Sequence, residues 1–150
     1  MSGAVRYVQV DGSDVAYSLY PGRGDRDLVL IFGGVFPMMS VDGDVVATRF
    51  LDGLRELGRV LMFDRRGVGH SGPILDWGVE RLRLWADDLQ AVVRDAGLSS
   101  PIVVAHGNAC AAAVLLASES DDIEMLVLAE PVNPCLLYTS PSPRDSTLDL

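Results

Sequence analysis

The 150-residue sequence contains no lysine; all 12 of its basic residues are arginine, and 21 acids leave it with a formal net charge of −9. Such an excess of negative charge argues against nucleic acid and an anionic membrane as partners, because both are held by positive surfaces. Cysteine is as scarce. Cys110 and Cys135 stand alone and unpatterned, which excludes a disulfide framework and a cysteine-based metal site. No metal or cofactor is expected. No apolar run approaches the roughly 18 residues of a membrane span. Residues 1–6 lead straight into strand-like sequence without the apolar core of a secretory signal, so a cytoplasmic, soluble protein is the expectation. His70 and His106 are the only histidines.

What the chain does have is apolar residues, 49% of the total, enough for one sizeable core and one domain. Residues 6–10 and 15–20 are β-prone runs around Asp11-Gly12-Ser13-Asp14, a hairpin signal. Residues 27–32 form a nearly continuous apolar run, as in a parallel strand buried on both faces, and end at Gly33 and Gly34. Residues 36–44 read as an irregular loop. Residues 45–57 read as a helix with Val46, Phe50, Leu54 and Leu57 as its apolar stripe and Gly58 as C-cap. A second buried strand at 59–63 delivers the loop 64–72, and a helix follows at 85–96 with Leu89, Val92, Val93 and Ala96 on one side, ended by Gly97. Further strands are expected at 101–104 and 125–129, with an Ala-rich helix between them. Alternating strands and helices after an N-terminal antiparallel hairpin predict an α/β fold, a mainly parallel, doubly wound sheet with helices on both faces.

The turn between the strand at 101–104 and the Ala-rich helix is the centre of that plan. Strand, sharp turn and helix make a nucleophile elbow, which lifts one side chain above the sheet. Read against G-x-S-x-G, the residues are Ala105-His106-Gly107-Asn108-Ala109, with glycine in the place of serine. With Gly107 as the elbow, about four helical turns fit before Asp121 and Asp122. An elbow at Ala109 shortens the helix and supplies no nucleophile. One at Cys110 shortens it most and supplies a thiol. The first register fits a sheet crossover best and makes Cys110 a packing residue; the Cys110 nucleophile stays as the alternative.

Three stretches carry a family resemblance: residues 7–17, the run Val60-Leu61-Met62-Phe63-Asp64-Arg65-Arg66-Gly67-Val68-Gly69-His70-Ser71, and Asp87-Asp88-Leu89 ahead of the elbow strand. Over residues 6–134 the chain resembles the N-terminal half of an α/β-hydrolase domain, most closely the bacterial branch often joined to class III adenylate or guanylate cyclase domains. The resemblance implies a serine nucleophile, a histidine base and an orienting acid, with two backbone N–H groups holding the oxyanion. Those donors fall on Gly34 and Asn108, the nucleophile on Gly107, and the acid and histidine beyond Pro134, where no histidine exists. Asp64, Arg66, Gly67, Gly69 and Ser71 are expected to fix the loop, while His106 packs and His70 is solvated.

Glycine at such an elbow has a physical sense, since a non-glycine residue there bears a backbone strain of about 1–3 kcal/mol. Removing it keeps the turn and abandons the chemistry, which suits a pocket that binds a small-molecule ligand. From Cys135 the strand and helix rhythm stops, and residues 135–145 resemble a translated sequencing adapter. The expectation is therefore a C-terminally truncated domain at 1–134 and a non-native or disordered tail at 135–150. Three functions follow: an inactive ligand-binding or regulatory domain, with a fused cyclase domain in the intact gene; an ester or amide hydrolase; or a non-catalytic interaction module.

Overall fold

The computed structural model describes residues 3–34 and 36–132. The tail at 135–150, with Cys135, lies outside the described residues. Two strands, β1 (Val5–Val10) and β2 (Ser13–Tyr20), form the expected hairpin, with Val10 paired to Ser13. Its turn is only the two residues Asp11 and Gly12, at φ 49° and 79°, the geometry that matches strand twist and that Asp-Gly supplies.

The chain continues through β3 (Arg26–Ile31), α1 (Val45–Leu57), β4 (Gly58–Phe63), α2 (Arg81–Asp95), β5 (Ile102–His106), α3 (Ala109–Glu119) and β6 (Met125–Ala129). The sheet order is β1-β2-β4-β3-β5-β6, antiparallel through β1, β2 and β4 and parallel from β4 to β6. The mainly parallel α/β sheet expected from the sequence is thus present, with β4 and β3 at its centre and β5 beside β3.

Both faces are apolar because the strand pleat alternates. Val29, Ile31, Leu61, Phe63, Val103 and Ala105 face α2 and α3. Leu28, Leu30, Val60, Met62 and Val104 face α1. Among the described residues no helix is long and apolar enough to cross a membrane.

Three expectations need correction. Residues 36–44 contain a 3₁₀ helix, Met38–Gly43, held because Met38 and Val41 insert into the core on the α1 face. The stripe of α1 is rotated: Leu51 is its buried residue, flanked by the partly buried Ala47 and Leu54, while Val46, Phe50 and Leu57 are exposed. Packing against one sheet face selected a narrower stripe than spacing alone implies. Finally, α2 begins at Arg81 rather than Trp85; its N-cap, Glu80, makes no capping bond, so the sequence carries no start signal there.

Candidate functional site

The site lies where β3, β4 and β5 deliver their carboxyl ends. Gly107 adopts φ 62°, a left-handed conformation natural to glycine. Its N–H donates to Ala129 O at 3.0 Å, and its carbonyl accepts the N–H of Cys110 at 3.2 Å, so the turn is fixed at both sides. A Cβ added at Gly107 would meet nothing nearer than Gly33 Cα at 3.8 Å. The elbow is therefore formed, and the space above it is open.

The loop after β3 approaches closely. A Cβ at Gly33 would lie 2.7 Å from His106 O and 2.9 Å from Asn108 N, so only glycine permits the approach. Next to it, the Gly34 N–H donates to Asn108 Oδ1 at 2.9 Å. The expected oxyanion donor Gly34 therefore already has a partner.

Residues 64–72 are fixed from inside. Asp64, 1% exposed, accepts the N–H of Met38 at 2.7 Å and of His70 at 2.9 Å. A Cβ at Gly69 would lie 2.1 Å from Asp64 Oδ2. Ser71 Oγ donates to Asp64 O and accepts the Ala16 N–H, and the Gly67 N–H donates to Gly72 O at 2.8 Å. Arg66 donates through Nε to Asp88 Oδ1 at 2.6 Å and through Nη1 to Asp11 Oδ2 at 3.0 Å, while its backbone N–H reaches Asp88 Oδ2 at 2.9 Å. One guanidinium thereby ties the hairpin turn and α2 to the loop. Burial pushes the Asp88 carboxyl up, against the pull of Arg66.

Cys110, the alternative nucleophile, is buried. It lies in the first turn of α3, 3% exposed, with Sγ directed at Ala105 O (3.2 Å) and Ala129 O (3.6 Å). Burial raises its pKa. A thiol facing main-chain carbonyls, with its proton held more tightly, is less ready to act as a thiolate. The third candidate, Ala109, is the first residue of α3.

Each histidine has a carboxylate neighbour. His106 Nε2 is 3.2 Å from Glu130 Oε2, and its ring lines a separate apolar groove with Phe32, Phe36 and Phe50. His70 Nδ1 is 3.7 Å from Asp64 Oδ2, on a half-exposed side chain.

Beside the elbow is a cavity of about 560 Å³ whose lining includes Gly34, Asn108, Arg65, Arg81, Trp77 and Trp85. Arg65, 6% exposed, donates through Nη2 to Gly34 O, and its guanidinium lies 4.0 Å over the ring of Trp85. Arg81 lies 4.4 Å over Trp77. Sequence reading missed these four residues. The only signal was the i, i+4 spacing of Trp77, Arg81 and Trp85, of which Trp77 and Arg81 fall before the helix expected from Trp85. Asp88 was more visible, a carboxylate inside the apolar face that includes Leu84 and Val92.

No family model matches the chain. An α/β hydrolase from Sphaerobacter thermophilus superimposes with a TM-score of 0.67 and 25% identity, covering 86% of this chain and 47% of that one. A variant of the N-formylmaleamic acid deformylase Nfo from Pseudomonas putida gives 0.68 and 28%, covering 85% and 47%. This chain has the α/β-hydrolase fold. A bifunctional esterase/perhydrolase of Acinetobacter calcoaceticus is 32% identical over 136 residues, which make up 89% of this chain and 46% of that protein. The chain thus spans about half the length of the curated relative it matches. Within the α/β-hydrolase fold, Gly107 stands at the elbow turn between β5 and α3.

Proposed function

We propose that this chain is the N-terminal half of an α/β-hydrolase domain that binds a small molecule beside its elbow without turning it over. The observation that carries the reading is Gly107: its φ of 62° keeps the turn while no side chain is there to attack. Covalent acyl transfer needs a nucleophile, a base within reach and free oxyanion donors. Here the Gly34 N–H is occupied by Asn108, and no histidine is among the residues lining the cavity. The relative named as an esterase/perhydrolase supports acyl and carboxyl compounds as the chemical class from which the ligand comes. The resemblance of residues 60–71 to the cyclase-linked branch extends the proposal: occupancy of the pocket would regulate a fused C-terminal cyclase domain.

The test is p-nitrophenyl acetate hydrolysis by the full chain and by Cys110→Ala. Both are expected to match the buffer rate. Turnover clearly above buffer overturns the inactive reading, and its disappearance in Cys110→Ala would assign it to the thiol.

A further inference from the structure

Both polar groups of Gly34 are engaged inside the protein. Its N–H donates to Asn108 Oδ1 at 2.9 Å, and its carbonyl accepts from Arg65 Nη2. The bond to Asn108 lies at the wall of the cavity beside the elbow, which both residues line. Asn108 stands at the N-cap of α3, where an asparagine side chain ordinarily accepts a bond from its own helix. Here it makes no such bond and turns across to Gly34. Room for that turn comes from Gly33, since a Cβ there would lie 2.8 Å from Asn108 Oδ1. An amide oxygen on the Gly34 N–H is the same kind of acceptor as the carboxyl or carbonyl oxygen of a ligand.

We infer that the Asn108 side chain is an internal stand-in for the ligand, a plug that must leave the Gly34 N–H before a carboxyl or carbonyl compound can accept from it. The inference rests on the reading of the cavity as a ligand site and concerns the regulation of that site. Arg65 holds the Gly34 carbonyl, so the loop is pinned and the part free to move is the half-buried Asn108 side chain. Gly107 brings no side chain to confine it. One hydrogen bond between neutral groups is weak enough to break and strong enough to matter. The plugged form lowers the apparent affinity for a ligand by the fraction of open molecules, about fivefold for one ordinary bond.

The test is a ¹H–¹⁵N NMR titration of the full chain with benzoate, followed at the Gly34 amide and the Asn108 carboxamide. Asn108→Ala should bind benzoate about fivefold more tightly than the parent, a gain that a merely structural cross-link would not give. Asn108→Asp keeps an acceptor on the Gly34 N–H and sets a like charge against the carboxylate, so it should bind benzoate about tenfold more weakly. In the parent, the Gly34 amide and the Asn108 carboxamide signals should move together and saturate together.

Benzoate affinity equal or lower in Asn108→Ala overturns the inference, as does binding that leaves the parent's Gly34 amide unmoved, or no binding by parent and variant alike. If Asn108→Ala does not fold, Asn108→Asp decides: benzoate bound as tightly as by the parent overturns the plug. Ester turnover by the parent together with the gain in Asn108→Ala would sink the inactive reading and leave the plug standing; an inert parent with affinity unmoved by Asn108→Ala would do the reverse.

Discussion

The side-chain oxygen of Asn108 accepts the backbone N–H of Gly34 at 2.9 Å, joining the loop after β3 to the turn after β5. Asn108→Ala should lower stability by about 1 kcal/mol, the contribution of one ordinary hydrogen bond. Asn108→Asp keeps an acceptor and should stay within about 0.5 kcal/mol of the parent. Urea denaturation reads both; an unchanged midpoint in Asn108→Ala would mean that the bridge contributes nothing.

Gly107→Ser is expected to fold and to remain inactive. The nearest atom to the new Cβ is 3.8 Å away, so the cost is the backbone conformation, about 1–3 kcal/mol for a non-glycine residue. The new hydroxyl finds no base, because His106 is engaged with Glu130 and His70 sits by Asp64. Release of p-nitrophenol above the parent's rate would place a base within reach after all.

Asp88→Ala should cost about 3–5 kcal/mol, since it leaves the Arg66 guanidinium, with a side chain only 4% exposed, without its buried partner. Replacing both residues, Arg66→Met with Asp88→Leu, should recover part of that loss. A double mutant as unstable as Asp88→Ala would show that the damage is not the orphaned charge.

Acid should weaken the β3–β4 end of the sheet through Asp27. Burial alone would raise this carboxyl's pKa, but the two bonds from Arg59 at 2.8 Å, the Ser99 N–H and the Arg59 charge together hold it below the usual 3.8. The folded pKa is depressed, so the stabilisation is complete above 3.8 and is lost as pH falls through the lower folded value. Arg59 is 44% exposed, which keeps the contribution below about 1 kcal/mol. In denaturant titrations from pH 5 to 2, Asp27→Asn should lack this part of the acid limb; a parallel curve would rule it out.

The outer strand β6 leaves Met125, Val127 and Leu128 exposed, and among the described residues nothing pairs with its far edge. An apolar edge of this kind associates. Light scattering should rise with concentration for the parent and less steeply for Val127→Lys; identical curves would acquit the strand.

Strands were legible because a buried parallel strand is a short apolar run, and β3, β4, β5 and β6 each carry one. The hairpin was legible in Asp-Gly, although its turn proved two residues long. Helix faces were harder: in α1 the packed face depends on which sheet residues it meets, and spacing alone put Val46 on that face and left out Leu51. The elbow could be read because turn chemistry is local. The cavity could not, since Arg65 comes from a loop and Trp85 from a helix, and their stacking belongs to the fold rather than to any spacing.

Gly33 and Gly107 face each other across the elbow, yet they are not equally replaceable. Gly33 is hemmed in by main-chain and side-chain atoms of His106 and Asn108 at 2.7–2.9 Å, whereas Gly107 is limited only by its own backbone. A lineage carrying this chain therefore stands one substitution away from a hydroxyl at the elbow, with no wall to rebuild around it. Any change at Gly33 closes that route by forcing β3 and β5 apart, so the glycine that carries no chemistry is the less replaceable of the two.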